Sequence, residues 1–437
     1  YEASEISAEA RDRATAKGLR YLGPDELAYK RDAFASVKQK VLAELQGVTV
    51  LHDYENLPSS FVRVSNEDTL NALLARPEVR AVYKSRKLQL TLDQSLPLIG
   101  HEWVAGQGLD GSGTVVAVFD TGVDYTIAPF NCTSPGVPAG CRVLATREST
   151  NIDPYYEDDG YPDDNGHGTH VSTIVALVAG DTDLVVADVC HYFFGCDEVF
   201  VADAIDWVIG LKETINIVAM NISLGNDAYF RTQYCNFEPF KASLDAARAA
   251  GIQPVVSSGN AAYSWGFFRD GLSFPACIEG VVSVGAVYDA DDIGSFEWGD
   301  FWEQYYCEDA TTAEDQVACF SQTADYLDLL APGARITALG VTDSGTSFAA
   351  PHVSGAWAVM REYYDDPDTT SNEDILAIMK DVGEQVDDPR AFGGRTTKRL
   401  NFIPEPNQLL MLSSGIMALW GLSLLRLRDR GLGRLLR

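Results

Sequence analysis

Gly345-Thr346-Ser347-Phe348-Ala349-Ala350-Pro351-His352-Val353-Ser354-Gly355 is the stretch on which the reading of this chain turns. A Gly and a Thr precede a Ser, small residues and a Pro follow, and an apolar run, Ala356-Trp357-Ala358-Val359-Met360, continues. The pattern predicts a tight turn feeding a buried helix with Ser347 at its start. The first turn of a helix leaves backbone N–H groups without intrahelical acceptors and carries the positive end of the dipole. A hydroxyl there suits a nucleophile whose attack creates an oxyanion. Ser at a helix start serves equally as a cap, so the residue alone leaves both readings open.

A serine hydroxyl is a weak nucleophile at neutral pH. It needs a base, normally His, and the base needs an orienting carboxylate. Thr114–Phe119 is an apolar strand pattern ending at Asp120, and a carboxylate at the end of a buried strand is costly unless paired. Capping of the next turn is the alternative, with Asp124 close behind. His167 lies in Asn165-Gly166-His167-Gly168-Thr169-His170-Val171, and Gly on both sides permits close backbone approach. His167 and His170 would also suit a metal pair, but no third ligand or His-Glu-x-x-His pattern accompanies them. Asn260, in Ser258-Gly259-Asn260 after the strand pattern Gln253–Ser257, offers an amide donor to an oxyanion or a plain turn residue.

These stretches, with Val-Ala-Val-Phe-Asp-Thr-Gly-Val-Asp at 116–124, resemble the motifs of subtilisin-like serine proteases (peptidase S8). The order Asp120, His167, Ser347 is that of subtilisin, and no Gly-x-Ser-x-Gly surrounds Ser347. The resemblance implies a serine endopeptidase acting on protein or peptide substrates through an acyl-enzyme. It makes Ser347 the nucleophile, His167 the base, Asp120 its orienter and Asn260 an oxyanion donor, and leaves His170 a packed neighbour. Ile222-Ser223-Leu224-Gly225 resembles the family's substrate-binding edge strand, so Ser223, Leu224 and Gly225 are expected to pair with an extended peptide. Ser273-Phe274-Pro275-Ala276 and Leu330-Ala331-Pro332-Gly333 match family turns. Three positions depart: Asp183-Leu184-Val185-Val186 replaces Gly-Val-Ala-Pro, Phe348 replaces Met, and Ser172 stands where Ala is common. No cofactor is required for the chemistry. Glu157, Asp158, Asp159, Asp163 and Asp164 in the Tyr155–Asp164 loop read as a solvated acidic loop or as a structural calcium site. The rival class is a weakly active or inactive surface or matrix binding module on a protease fold, which would need none of the four groups.

From Thr114 to Met379 short apolar runs (Thr114–Phe119, Leu184–Val189, Ile217–Ile222, Gln253–Ser257, Val281–Val284) alternate with helical patterns (Thr169–Val178, Val199–Leu211, Phe240–Ala250). Such alternation predicts an α/β fold with a parallel sheet between helix layers and its site at the carboxyl ends of the strands. The resemblance specifies the three-layer subtilisin-like form over 94–400. That segment carries 14 basic and 47 acidic side chains, a net of −33, which argues against nucleic-acid binding. It also holds all eight Cys, with no Cys-x-x-Cys, as expected of disulfides in an oxidising compartment. Short local loops pair Cys132–Cys141, Cys190–Cys196 and Cys307–Cys319, leaving Cys235–Cys277. The chain opens at Tyr1 with no Met and no apolar leader, as after removal of a signal peptide.

Residues 1–93 have no net charge. A helix is expected at Arg31–Leu45, strands at Val48–Tyr54, Ser59–Val64 and Val79–Tyr83, and a helix at Asn66–Leu74. The unit over about 46–90 resembles the small α+β, ferredoxin-like prodomain of subtilisin-like proteases, an intramolecular chaperone and inhibitor. The matching inhibitory tail is Lys84–Leu92, with self-cleavage between Lys87 and Ser95. Residues 401–437 open with Pro404-Glu405-Pro406, continue through the uncharged run Leu409–Leu425 and end in five Arg. This resembles a PEP-CTERM sorting signal of Gram-negative bacteria, a transmembrane helix with a basic tail that an exosortase removes. A plain C-terminal anchor is the alternative. Together these features imply export to the cell surface or the medium.

Overall fold

A computed structural model describes residues 4–17, 24–42, 46–53, 58–82, 92–152, 162–163, 165–191, 195–236, 240–291, 293–299, 304–365, 369–391 and 393–403. The chain forms two compact units, Tyr1–Leu88 and Gln89–Arg437.

In the first unit, helices Ser4–Ala16 and Pro24–Leu42 precede an antiparallel pair, Val48–Asp53 with Ser60–Val64, and a helix, Glu67–Leu74. The second helix starts earlier than its apolar pattern suggests. Pro24 sits in its first turn, where no N–H is needed, and Asp25 and Glu26 face the positive end of its dipole. Asn66 caps the third helix by accepting from the Thr69 N–H at 2.9 Å. The strand expected at Val79–Tyr83 does not form over residues 79–82. The Val79 N–H turns back to the Arg76 carbonyl at 3.0 Å, which removes the donor a sheet neighbour would need. Residues 83–91, and so almost all of the expected inhibitory tail, lie outside the described residues.

The second unit is built on a nine-stranded sheet. Its order is Glu384–Asp388, Arg395–Arg399, Leu329–Ala334, Val282–Tyr288, Gln253–Ser257, Ile217–Ile222, Val115–Asp120, Asp183–Asp188, Val143–Glu148. Every neighbouring pair is parallel except the first. The interior strands Val115–Asp120, Ile217–Ile222, Gln253–Ser257 and Val282–Tyr288 are buried at every position and mostly apolar because both faces are covered. Alternate side chains enter two separate cores. Val116 and Val118 join helices His167–Val178 and Thr346–Tyr363 on one face. Val115, Ala117 and Phe119 join helices Glu198–Leu211 and Lys241–Ala249 on the other.

Two features of this packing position the site. The sheet order reverses at Val115–Asp120, since the chain runs outward from it in both directions, and a crevice opens at such a switch point. Gly355 lets the two helices of the first face cross closely: a Cβ there would lie 2.7 Å from the Val178 Cβ and 3.1 Å from the Val175 carbonyl. The N-termini of these helices carry His167 and Ser347.

All four expected disulfides are present: Cys132–Cys141, Cys190–Cys196, Cys235–Cys277 and Cys307–Cys319. No helix among the described residues is long and apolar enough to cross a membrane. The run Leu409–Leu425, within 404–437, lies outside them.

Candidate active site

Asp120 ends its strand fully buried, 0% exposed. Its Oδ1 accepts from the Thr121 N–H at 2.9 Å and meets His167 Nδ1 at 2.6 Å. Oδ2 is buried and takes no hydrogen bond among the described residues, so the imidazole is the main compensation for the charge. His167 opens its helix and is 28% exposed. The approach depends on Gly168, where a Cβ would lie 2.1 Å from the Gly122 carbonyl oxygen. The acidic loop contributes here as well. Asp163 accepts the N–H groups of Asn165, Gly166 and Thr169 at 3.1, 2.8 and 2.8 Å, and the Thr121 hydroxyl at 2.8 Å. The N-cap, Gly166, has no side chain to offer, so Asp163, four residues ahead of the His, supplies the acceptor for the first turn of the His167 helix. The remaining acids of that loop lie outside the described residues, and no cluster among those described could hold a metal.

Ser347 stands in the first turn of its helix, where its N–H has no intrahelical acceptor. Its hydroxyl donates to the Ser223 carbonyl at 3.1 Å, and the Ser223 hydroxyl donates to the Ser347 carbonyl at 2.7 Å. The second bond has a covalent origin. A residue four places after Ser347 would normally donate its N–H to that carbonyl, but this residue is Pro351, which has none. Asn221 completes the chain: its Nδ2 donates to Ser223 Oγ at 2.9 Å while Oδ1 accepts from Ser354 at 3.0 Å. Asn260 Oδ1 accepts from the Thr346 N–H at 2.8 Å and the Thr346 hydroxyl at 2.9 Å, which fixes its amide with Nδ2 on the other edge. His167, Ser223, Leu224, Gly225, Asn260 and Ser347 all line one pocket of about 260 Å³, with Thr121, Asn165 and Cys196.

The sequence reading missed Thr346, Asn221, Ser354 and Cys196. The i,i+4 spacing of Ser347 and Pro351 was a legible signal for the Ser223 contact. The others come together only through the sheet.

The charges follow from the packing. Burial, the largest influence, pushes the His167 pKa down, but the Asp120 charge and hydrogen bond outweigh it, aided by Asp343 and Asp163, and the net direction is up. His170 is pushed down, chiefly by burial. Its ring lies 4.7 Å from the Phe348 ring, and the His167 ring lies 5.3 Å from it, so Phe348 packs against both. His352 is pushed down to about 4 by burial, only partly offset by its bond to the Phe348 carbonyl.

A large, mostly parallel sheet, with an Asp–His pair and a Ser at helix starts around one pocket, defines a serine hydrolase of the subtilisin-like α/β class. Residues 111–393 match the subtilase family (Peptidase S8), and the chain belongs to that family. It is 28% identical over 379 residues to the thermostable alkaline protease of Halalkalibacterium halodurans, covering 82% of this chain and 86% of the relative. Against the serine protease AprX of Bacillus subtilis it is 26% identical over 381 residues, 77% of each chain. Against subtilisin E of Bacillus subtilis it is 25% identical over 375 residues, covering 82% and 84%. The crystal structure of a cold adapted subtilisin-like serine proteinase aligns at 22% identity with a TM-score of 0.49, covering 68% of this chain and 91% of the other. By its family match and its curated relatives, the chain is a subtilisin-like serine protease.

Proposed function

We propose that the chain is an exported serine endopeptidase, made as a zymogen, with Ser347 as nucleophile, His167 as general base and Asp120 as its orienter. The observation that carries the reading is the 2.6 Å contact between His167 Nδ1 and Asp120, in the pocket that Ser347 and Asn260 also line. With Nδ1–H committed to Asp120, the neutral ring presents Nε2 as the free base. The Ser347 hydroxyl turns from the Ser223 carbonyl to Nε2, gives up its proton and attacks the scissile carbonyl. Catalytic hydrogen bonds commonly tighten in this way only on substrate binding. The oxyanion forms beside the Ser347 N–H and Asn260 Nδ2. His167 then protonates the leaving amine, and water hydrolyses the acyl-enzyme. Backbone at Ser223, Leu224 and Gly225 pairs with the extended substrate.

The test is fluorophosphonate labelling of the matured protein, with Ser347→Ala and His167→Ala alongside. Labelling of wild type and of neither variant is expected; equal labelling of Ser347→Ala would overturn the assignment. Comparing a casein digest with a peptide-ester assay separates a protease from an esterase or peptide ligase.

Residues 1–93 serve in this reading as inhibitor and folding aid, supported by their resemblance to such prodomains. Added in trans, the segment should inhibit the mature enzyme, and absence of inhibition would remove that role. For residues 401–437 the Pro-Glu-Pro, apolar and Arg-rich order supports a PEP-CTERM signal cut by an exosortase. An intact mass that retains Arg437 in secreted protein would contradict it.

A further inference from the structure

Two separate holds fix Asn260. Its side chain is tied to the nucleophile's helix through Thr346, and the neighbouring Gly259 N–H donates to the Thr346 hydroxyl at 3.1 Å. Its backbone is tied elsewhere, to Gln322, which is 0% exposed and is not among the residues lining the pocket. The Gln322 N–H donates to the Gly259 carbonyl at 3.0 Å, and the Ser258 hydroxyl donates to the Gln322 carbonyl at 2.8 Å. The carboxamide then spans the loop. Its Oε1 accepts from the Ala261 N–H at a longer 3.4 Å, and its Nε2 donates to the Gly271 carbonyl at 3.1 Å. Backbone on both sides of Asn260 thus bonds to one residue. A buried carboxamide favours the placement that bonds both its ends.

Gly259 shows how closely this side chain sits. Its φ of +111° is one that Gly adopts at little cost, and a Cβ there would lie 2.1 Å from Gln322 Oε1 and 2.8 Å from Gln322 Cδ. The loop is shaped around the carboxamide. Other bonds hold the surrounding chain without it: the Ser258 N–H donates to the Val284 carbonyl at 2.9 Å, the Ser273 N–H to the Ser258 carbonyl at 2.9 Å, and the Ala262 N–H to the Phe320 carbonyl at 3.0 Å. Removing the carboxamide would leave these in place and loosen only residues 259–261.

We propose that Gln322 is a positioning residue for the oxyanion site: its carboxamide fixes the backbone of residues 259–261 so that Asn260 Nδ2 faces the charge that develops beside Ser347. The proposal rests on the reading of Asn260 as an oxyanion donor. A donor held in place stabilises that charge because it need not reorient as the charge forms. The substrate carbonyl gains less from it than the oxyanion does, so the loss should fall on kcat rather than KM.

The test is a double-mutant cycle in the mature enzyme between Gln322→Met and Asn260→Ala, read as kcat and KM for a peptide substrate per fluorophosphonate-titrated site. Met keeps the length of the side chain and removes both of its bonds. Gln322→Met alone should lower kcat about tenfold, a fraction of the loss of about 10²–10³ that follows removal of the donor itself, with KM unchanged. With Asn260→Ala already present, the same substitution should change kcat by less than about twofold, because its effect passes through the missing amide. Equal losses in both backgrounds would overturn the proposal, since Gln322 would then act on structure that the Asn260 amide does not share. A wild-type kcat in Gln322→Met would overturn it as well. If Gln322→Met does not fold, Gln322→Asn runs the same cycle, its amide being one methylene too short to bond both Ala261 and Gly271. A wild-type kcat in Asn260→Ala would instead remove the oxyanion reading itself, and the proposal with it.

Discussion

Replacing Gly168 by Ala should uncouple His167 from Asp120 without touching either side chain. An alanine Cβ there would lie 2.1 Å from the Gly122 carbonyl oxygen, 3.1 Å from the Thr121 nitrogen and 3.2 Å from the Asp120 Cβ. The first contact is with backbone, so no rotamer relieves it, and real Cβ atoms do not approach closer than 3.0 Å. The helix and the Asp120 loop must separate by about 1 Å, a displacement of the size that costs about 10²-fold in turnover. The 2.6 Å contact between Nδ1 and Oδ1 would stretch beyond hydrogen-bonding range. The pocket lining at Ser223–Gly225 is untouched, so KM should change little and kcat should take the loss. Gly210 provides the control. It also lies within a helix, Glu198–Leu211, but a Cβ there meets nothing within 4 Å. Gly210→Ala should add up to about 1 kcal/mol of stability from helix propensity alone, with kcat unchanged. The assay is peptide hydrolysis normalised by fluorophosphonate titration of active sites, alongside thermal unfolding. A wild-type kcat per titrated site in Gly168→Ala would refute the argument that this glycine sets the Asp–His distance.

Further outcomes are expected at Asn260, His167 and Ser223. Asn260→Ala should lower kcat by about 10²–10³ with little change in KM, measured by steady-state hydrolysis. His167 is a base only when neutral, and its folded pKa is raised; kcat/KM should therefore fall with decreasing pH through a midpoint above the ordinary value of about 6.5. The same raised pKa adds stability below the unfolded pKa that is lost as pH rises through the folded one, so His167→Ala should be less destabilising at alkaline than at acid pH in denaturant titrations. Ser223→Ala leaves the Ser347 carbonyl without its donor and should cost about 1–3 kcal/mol. Adding Pro351→Ala restores a helix N–H at the right position and should recover part of that loss, while additive losses in the double variant would contradict the link.

The reach of the sequence differed from part to part. The strands Ile217–Ile222 and Gln253–Ser257 were legible to the residue, because strands buried on both faces are apolar runs cut off by polar turns. Asp120, His167, Asn260 and Ser347 could be singled out as candidates because the stretches around them resemble the family's motifs; their places at strand ends and helix starts alone left cap and turn readings open. The segment at 79–82 misled, because a short apolar run carries no information about where its N–H groups will bond, and the Arg76 carbonyl claimed one of them. Asp163 was grouped with its acidic neighbours by composition, although its carboxylate supplies the acceptor for the first turn of the His167 helix.

By itself the sequence determined the alternation of elements and the four disulfide pairs, since these are written in local periodicity and spacing, and its resemblance to family motifs singled out the candidate reactive groups. The tertiary structure decided which of those groups work together. Asp120 meets His167 only because Gly168 lets a helix approach a strand end. Ser347 is held through Ser223 because Pro351 frees a carbonyl that a neighbouring strand then satisfies. Each of these contacts joins residues distant along the chain, and only the packed sheet sets the distances between them.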